Sequence, residues 1–290
     1  MRDNKKKIKS NEYVRPLIIG FEEPEIYLHP KAAQQMRDTI YELSLDKHNQ
    51  IVATTHSPYM IDLGKKSSQV LNSFSIKEVT TTINNNYINI QQVCVNPFNV
   101  TKAFKELTEE HRQFLKMIIK IDDSIAKVFF AKNVLIIEGD TEEVVMKESI
   151  SRLPELIRKE IIYDWEIVKA RGKAIIISLV KYLKALGIDP WVIHDMDSKT
   201  PKAMLFNEPI LQAICDSEKR IMLEDCIEDV LGYKAPSKEK PFKAYSYIKD
   251  NWTKDWDSIT PQWRVILERI FELEKIYVNK IQAEAASTKE

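Results

Sequence analysis

Two short acidic clusters, each closing an apolar run, constrain this chain more than any other feature. The first is Val134-Leu135-Ile136-Ile137-Glu138-Gly139-Asp140-Thr141-Glu142, and the second is Trp191-Val192-Ile193-His194-Asp195-Met196-Asp197. An unbroken apolar run of this length reads as a buried parallel strand. The carboxyl ends of such strands are where an α/β sheet builds its sites. Glu138 and Glu142 flank a glycine turn, while Asp195 and Asp197 alternate on one side of an extended segment. Carboxylates converging at one sheet edge repel one another unless a hard cation such as Mg2+ lies between them. The pattern points to metal-dependent chemistry on phosphodiesters.

Around these clusters strand alternates with helix, which argues for an α/β fold with a mostly parallel sheet. Helix follows from Glu142 to about Leu153, then strand near Trp165 to Val168. An Arg171-Gly172-Lys173 turn leads to a helix through Ala185. Earlier in the chain, a strand from Arg15 to Phe21 precedes Glu22-Glu23-Pro24-Glu25 and Leu28-His29-Pro30. A helix from Lys31 to about Leu45 follows, with Pro30 well placed at its start. The strand Gln50 to Thr54 then ends in Thr55-His56-Ser57-Pro58. Val70 to Val79 and Asn86 to Val95 read as a hairpin turned at Asn84-Asn85-Asn86. From Val100 to Phe130 apolar residues recur at threes and fours, so this stretch is a helical connector. The expected organisation is residues 1–99, a connector at 100–130, and residues 131–290 with a helical tail that frays at its polar end.

The 290 residues suit about two domains. Lys and Arg number 43 and Asp and Glu 43, so any nucleic-acid contact must come from local patches, metal ions or an oligomer rather than bulk charge. No apolar run approaches the roughly 18 residues of a membrane span, and no signal-peptide core follows Met1-Arg2-Asp3-Asn4-Lys5-Lys6-Lys7. The three cysteines form no CxxC pair. A disulfide framework or zinc site is therefore not expected, and the expected compartment is cytoplasmic.

The order strand, Glu-Glu-Pro-Glu, Leu-His-Pro, helix, strand, Thr-Thr-His-Ser-Pro resembles the second half of an ABC-type ATPase. The likeness is closest to the ATP-binding domains of the overcoming-lysogenization-defect (OLD) nucleases. That resemblance implies that Glu22 is the Walker B acid holding Mg2+ through water, that Glu23 polarises the attacking water, and that His56 is the switch histidine. Phosphoryl transfer needs such charge neutralisation and an oriented nucleophile. The chain departs from the family in one respect: none of its six glycines makes a GxxxxGK[ST] loop. ATP is accordingly expected only with a complementing N-terminal ATPase half, and the chain reads as part of a longer protein or one product of a split gene.

Glu138-Gly139-Asp140-Thr141-Glu142 followed by Asp195-x-Asp197 resembles the Toprim domain shared by topoisomerases, bacterial primases and OLD nucleases. Phe129-Phe130-Ala131-Lys132 and the order ATPase then Toprim are similar to the OLD family in particular. This implies Glu138, Glu142, Asp195 and Asp197 as catalytic metal ligands. A further acid comes from Leu223-Glu224-Asp225-Cys226-Ile227-Glu228, where Glu224 is favoured and Asp225 and Glu228 are alternatives. Gly172-Lys173 matches a turn facing the site. A late lysine, Lys240 or Lys243, would stabilise transition-state charge.

The resemblance implies two-metal hydrolysis of DNA with Mg2+ or Mn2+, possession of a homo-oligomeric state, and a role in antiphage defence or DNA processing with a helicase partner. Two alternatives belong to other classes. One is another Toprim enzyme, topoisomerase-like or primase-like, which the ATPase-like half disfavours. The other is an ATPase-head assembly or DNA-binding regulatory module whose acids hold only a structural ion. The bland readings are a solvated helix start for Glu-Glu-Pro-Glu, a turn cap for Asp-x-Asp, a packed His194, and core roles for Trp252, Trp256 and Trp263.

Overall fold

Compactness divides the chain into Met1–Ser67 and Ser68–Glu290. The computed structural model describes residues 15–63, 69–83, 86–274 and 276.

In the first unit, β1 (Leu17–Glu22) leads through α1 (Pro30–Leu43) to β2 (Asn49–Thr54). The two strands pair in parallel, with Leu17 opposite Asn49 and Glu22 opposite Thr54. Pro30 opens the helix where an N–H has no intrahelical partner to lose. The helix stops two residues short of Leu45 because the Ser44 and Leu45 N–H groups turn back onto the Ile40 and Glu42 carbonyls. The strands carry little cover: Leu17, Ile18 and Val52 are each more than half exposed.

The second unit begins with β3 (Val70–Ile83) and β4 (Asn86–Asn99), antiparallel along their whole length from Val70 opposite Asn99 to Ile83 opposite Asn86. Both strands run four residues beyond their expected ends because the pairing continues unbroken. Asn84 and Asn85 of the expected turn lie outside the described residues. One face of this ribbon sets Phe74 opposite Val95 and Ile76 opposite Val93, all four exposed.

The helical connector is three pieces rather than one helix. These are α2 (Val100–Glu106), α3 (Glu109–Ile121) and a 3-10 turn at Asp123–Phe129. Thr108 breaks the pattern, because its side chain accepts the His111 N–H and caps α3. The strand β5 (Asn133–Ile137) follows, with Val134 to Ile137 wholly buried. Next come α4 (Asp140–Ser151), α5 (Glu155–Asp164), β6 (Trp165–Lys169), α6 (Lys173–Ala185) and β7 (Trp191–Asp195). The chain continues through α7 (Pro201–Met204), α8 (Asn207–Ile214), β8 (Arg220–Leu223), α9 (Ile227–Leu231), α10 (Lys240–Asn251) and α11 (Pro261–Phe271). The expected fraying of the polar C-terminal end falls on 277–290, outside the described residues.

Four parallel strands form the sheet in the order β6-β5-β7-β8. The expected α/β architecture is therefore what forms. One sheet face, through Leu135, Ile137, Ile193 and Leu223, packs with Val145 and Met146 of α4, Ile248 of α10 and Trp263 and Leu267 of α11. Trp263 is fully buried and donates its indole N–H to Ser149 Oγ at 2.8 Å, which gives a buried ring its polar partner. Trp252 and Trp263 are core, as expected, and Trp256 is partly buried against the same cluster. Helix α6 is buried at nine of its thirteen positions, so it lies inside the fold rather than on it. It packs against α3 and α8. Lys181 donates to His111 Nε2 at 2.8 Å, and the His111 Nδ1–H then points at Ser178 Oγ, 2.9 Å away, which joins α3 to α6.

Helix α5 and strand β8 have no counterpart in the sequence pattern. Only two residues of α5, Ile157 and Ile161, are buried, while its other apolar residues Leu156 and Ile162 are exposed, and the four residues of β8 alternate too briefly to signal a strand.

Truncating β5 should be felt as cavity formation. Leu135→Ala should lower stability by about 3 kcal/mol, whereas Ile18→Ser, 76% exposed, should change it by less than about 0.5 kcal/mol. Urea denaturation of the two variants checks the contrast, and equal losses would contradict this assignment of the core.

Candidate active site

The backbone delivers the acids to one edge. Glu138 directly follows β5, and its carbonyl accepts the N–H groups of Arg171 and Gly172 at 2.8 and 3.1 Å. Gly172 sits at φ +127°, a conformation that disfavours any side chain, and it turns the chain so that Lys173 starts α6 next to β5. Helix α4 starts at Asp140 rather than Glu142. Its N-cap is Gly139, whose N–H is accepted by Glu142 Oε2 at 2.9 Å. That bond fixes Glu142, 5% exposed, one turn from the strand end.

Asp195 ends β7, and its N–H points at Glu138 Oε2, 3.3 Å away. Asp197 does not continue the strand: it adopts φ +57°, so the two aspartates meet through a turn and not through strand alternation. The turn is held by the Met196 N–H on the Leu223 carbonyl at 3.0 Å and the Asp197 N–H on the Asp225 carbonyl at 3.2 Å. Lys173 Nζ lies 2.7 Å from Asp197 Oδ2.

Electrostatics follows from this crowding. Burial first, and then repulsion from Glu142 and Asp197, raise the Glu138 pKa to about 7 despite the opposing pull of Lys173. Burial followed by repulsion from Glu142, Glu138, Asp197 and Glu228 raises Asp195 to about 8. Glu142 is raised as well, by burial and by Glu228, with Lys240 acting in the opposite sense.

Of the acids after β8, the structure brings in Glu228, 1% exposed on α9, whose charge reaches both Glu142 and Asp195. Glu224 is exposed, and Asp225 instead holds the turn after β7 by accepting from Ser198 N and Oγ at 3.1 and 2.8 Å and from Lys199. Lys240 opens α10 and its charge reaches Glu142; Lys243, one turn on, is exposed. Asp140 of the same motif pairs with Lys169 at 2.6 Å, outside the cluster.

As the side chains stand, no three His, Cys, Asp or Glu residues among those described are gathered closely enough to hold an ion. The donor set nevertheless fits a hard divalent cation. It is all oxygen, and two of its buried oxygens, Asp195 Oδ1 and Glu228 Oε1, have no hydrogen-bond partner. An unsatisfied buried oxygen is costly, and a cation would satisfy it while relieving the repulsion that raises the pKa values. His194 is fully buried and packed, as expected. Burial takes its pKa down to about 4; Arg220 donates to Nε2 at 3.0 Å, which leaves the Nδ1–H to the Asp195 carbonyl at 2.9 Å.

In the first unit, Glu22 ends β1 in an exposed position. His56 Nε2 lies 3.3 Å from Glu23 Oε1, so the structure brings these two residues together. Glu25, passed over in the sequence, organises their turn: its Oε1 accepts from Thr55 Oγ and from the His56 N–H at 3.2 Å. Asn207 was likewise not foreseen, yet its side chain touches both Lys173 and the Met196 carbonyl. No motif announces it, because its partners lie far away in sequence.

Residues 1–61 match the AAA ATPase domain family, and residues 129–197 match the TOPRIM domain of the overcoming lysogenization defect protein-like family. Among curated proteins, the chain is 25% identical over 247 residues to OLD nuclease of Thermus scotoductus, covering 79% of this chain and 43% of that protein. It is 30% identical over 141 residues to endonuclease GajA of Bacillus cereus, covering 45% of this chain and 19% of that protein. Old nuclease of Escherichia phage P2 is 25% identical over 232 residues, or 77% of this chain and 34% of that protein. The chain thus spans less than half the length of each of these relatives. The resemblance to the OLD family holds in both halves, with an AAA-type ATPase segment preceding a Toprim domain.

Two measurements follow from this geometry. Between the ordinary carboxylate pKa of about 4 and the raised values of about 7 and about 8, the folded chain binds more protons than the unfolded one. Metal-free stability should therefore fall as pH rises through that window. Melting temperatures in EDTA from about pH 5 to about pH 9 should decline, and Asp195→Asn should flatten the decline; a rise would contradict the burial account. Separately, Glu228→Gln should weaken Mn2+ binding by about tenfold or more in calorimetry, with Glu224→Gln within about twofold of the parent.

Proposed function

We propose that this chain carries a metal-dependent DNA endonuclease site of the Toprim type, formed by Glu138, Glu142, Asp195, Asp197 and Glu228. The observation that carries this reading is the gathering of these carboxylates at the carboxyl edge of a parallel sheet, Glu142 and Glu228 buried and Glu138, Asp195 and Asp197 partly so, with two of their oxygens lacking any hydrogen-bond partner. The names of the relatives, all nucleases, support it.

The five acids would hold Mg2+ or Mn2+. When bound, such ions supply positive charge that makes water a better nucleophile and stabilises charge on the phosphorane-like transition state. The protein's own contribution is positional. Glu138 and Asp195 are tied to each other through the Asp195 N–H. Glu142 is fixed by the Gly139 N–H. Lys173 keeps Asp197 in place. Lys240, exposed at the start of α10 and electrostatically within reach of Glu142, is the cation available to the scissile phosphate or its leaving oxygen.

In the first unit, Glu22, Glu23 and His56 would serve ATP only together with a phosphate-binding half contributed by additional polypeptide, since none of the six glycines here forms a phosphate loop. The uncovered strands β1 and β2 are consistent with such a partner or with a homo-oligomer. A role in antiphage defence, with a helicase partner, extends the same family likeness.

Cleavage of supercoiled plasmid in Mg2+ or Mn2+ tests the proposal. Nicked or linear product should form with the parent chain. Asp195→Ala should reduce the rate by about 100-fold or more, and Lys240→Ala should fall further than Lys243→Ala. Equal cleavage by parent and Asp195→Ala would remove the site from consideration. Silence from the parent even with a complementing ATPase half would favour a binding module with a structural ion.

A further inference from the structure

We propose that Asn207 is a positioning residue of this site, a single amide that anchors the Lys173 ammonium against Asp197 and fastens the turn that carries Asp197. Its consequence for metal binding rests on the function proposed above; its geometry does not. Asn207 starts α8, 34 residues from Lys173 and 11 from Met196 in sequence. Its Nδ2 donates to the Met196 carbonyl at 2.9 Å, and its Oδ1 accepts from Lys173 Nζ at 3.0 Å. Lysine can only donate and a carbonyl can only accept, so the amide's orientation follows from its partners.

Lys173 Nζ also lies 2.7 Å from Asp197 Oδ2 and 3.4 Å from the Met196 carbonyl. An ammonium has three N–H donors, and here all three point at groups of this chain. Lys173 is only 5% exposed and its donors are taken up within the chain, so none is free for a substrate phosphate in this arrangement. Its role is that of an internal counter-charge. It draws one oxygen of Asp197 to a fixed place, and its charge opposes the rise that burial and the neighbouring carboxylates impose on the Glu138 pKa.

The turn needs that support. Asp197 occupies φ +57°, a region that a non-glycine residue adopts at a conformational cost unless its surroundings hold it there. Its backbone is tied through the Asp225 carbonyl, and its side chain is tied only through Lys173 among the described residues. Asn207 grips both ends of this arrangement, the lysine and the Met196 carbonyl. An amide is suited to that task because it donates and accepts at once. Aspartate would keep the lysine and lose the carbonyl, and alanine would lose both.

Acylation of the full chain by acetic anhydride, read by peptide mass spectrometry, tests the anchor directly. Lys173 should be protected in the parent relative to Lys199, whose side chain is 83% exposed. In Asn207→Ala its labelling should rise about tenfold with Lys199 unchanged. Mn2+ affinity, measured by calorimetry, should fall about tenfold in Asn207→Ala, but by less than about twofold when Lys173→Met is already present. Should Asn207→Ala not fold, Asn207→Ser, which stays polar but lacks reach, should give the same contrast. Unchanged Lys173 labelling in a folded Asn207 variant, or independent effects of the two substitutions on Mn2+ affinity, would overturn the proposal. Labelling needs no metal. A parent chain that binds no Mn2+ would therefore sink the metal-site assignment while the labelling contrast still decides the anchor.

Discussion

Mutual repulsion among buried carboxylates is the constraint around which the second unit is arranged. Taking one carboxylate out of water is unfavourable, and each added neighbour of the same charge makes ionisation harder. Glu138, Glu142, Asp195 and Glu228 are all largely withdrawn from solvent, and this raises the pKa values of Glu138 and Asp195. A fold tolerates such a cluster when its scaffold is rigid enough to hold it. Here β5 and β7 are buried strands at the centre of the sheet, and the turns that follow them are cross-linked by backbone hydrogen bonds to the neighbouring turns.

The same repulsion explains where the positive charges sit. Lys173 is placed inside the cluster by a glycine turn fastened to the Glu138 carbonyl, and Asn207 holds it there. Lys240 approaches from α10 and remains exposed. One lysine is therefore enclosed by the protein and the other faces solvent. Asp140 and Asp225, acids adjacent to the cluster in sequence, are neutralised elsewhere, by Lys169 and Lys199 respectively. Sequence proximity to a motif does not make an acid part of its site.

The first unit is arranged around a different economy of contacts. Its two parallel strands orient Glu23 and His56 toward each other, with Glu25 bracing the turn, yet Leu17, Ile18 and Val52 remain largely in water. A parallel pair normally lies buried on both faces. The contact between Glu23 and His56 is locally formed while the surrounding cover is sparse, in contrast with the closed core of the second unit.

Much of this protein was legible in its sequence because its signals are local. The apolar runs before Glu138 and Asp195 announce central strands, Pro30 announces a helix start, and the ordered motifs of both halves carry the family resemblance. The α/β class follows from those signals, as does the placing of Glu138 and Asp195 at the carboxyl ends of β5 and β7. Tertiary structure alone decided the rest. It buried Glu228 near Glu142 and Asp195 and left Glu224 exposed, because packing, and not spacing, decides which acid after β8 is enclosed. It bent the chain at Asp197 because bonds to the neighbouring turn outweigh strand alternation. It recruited Asn207 to Lys173 across 34 residues. A sequence records which groups a chain possesses and their local periodicity; which of them share a few ångströms of poorly hydrated space depends on how distant segments pack.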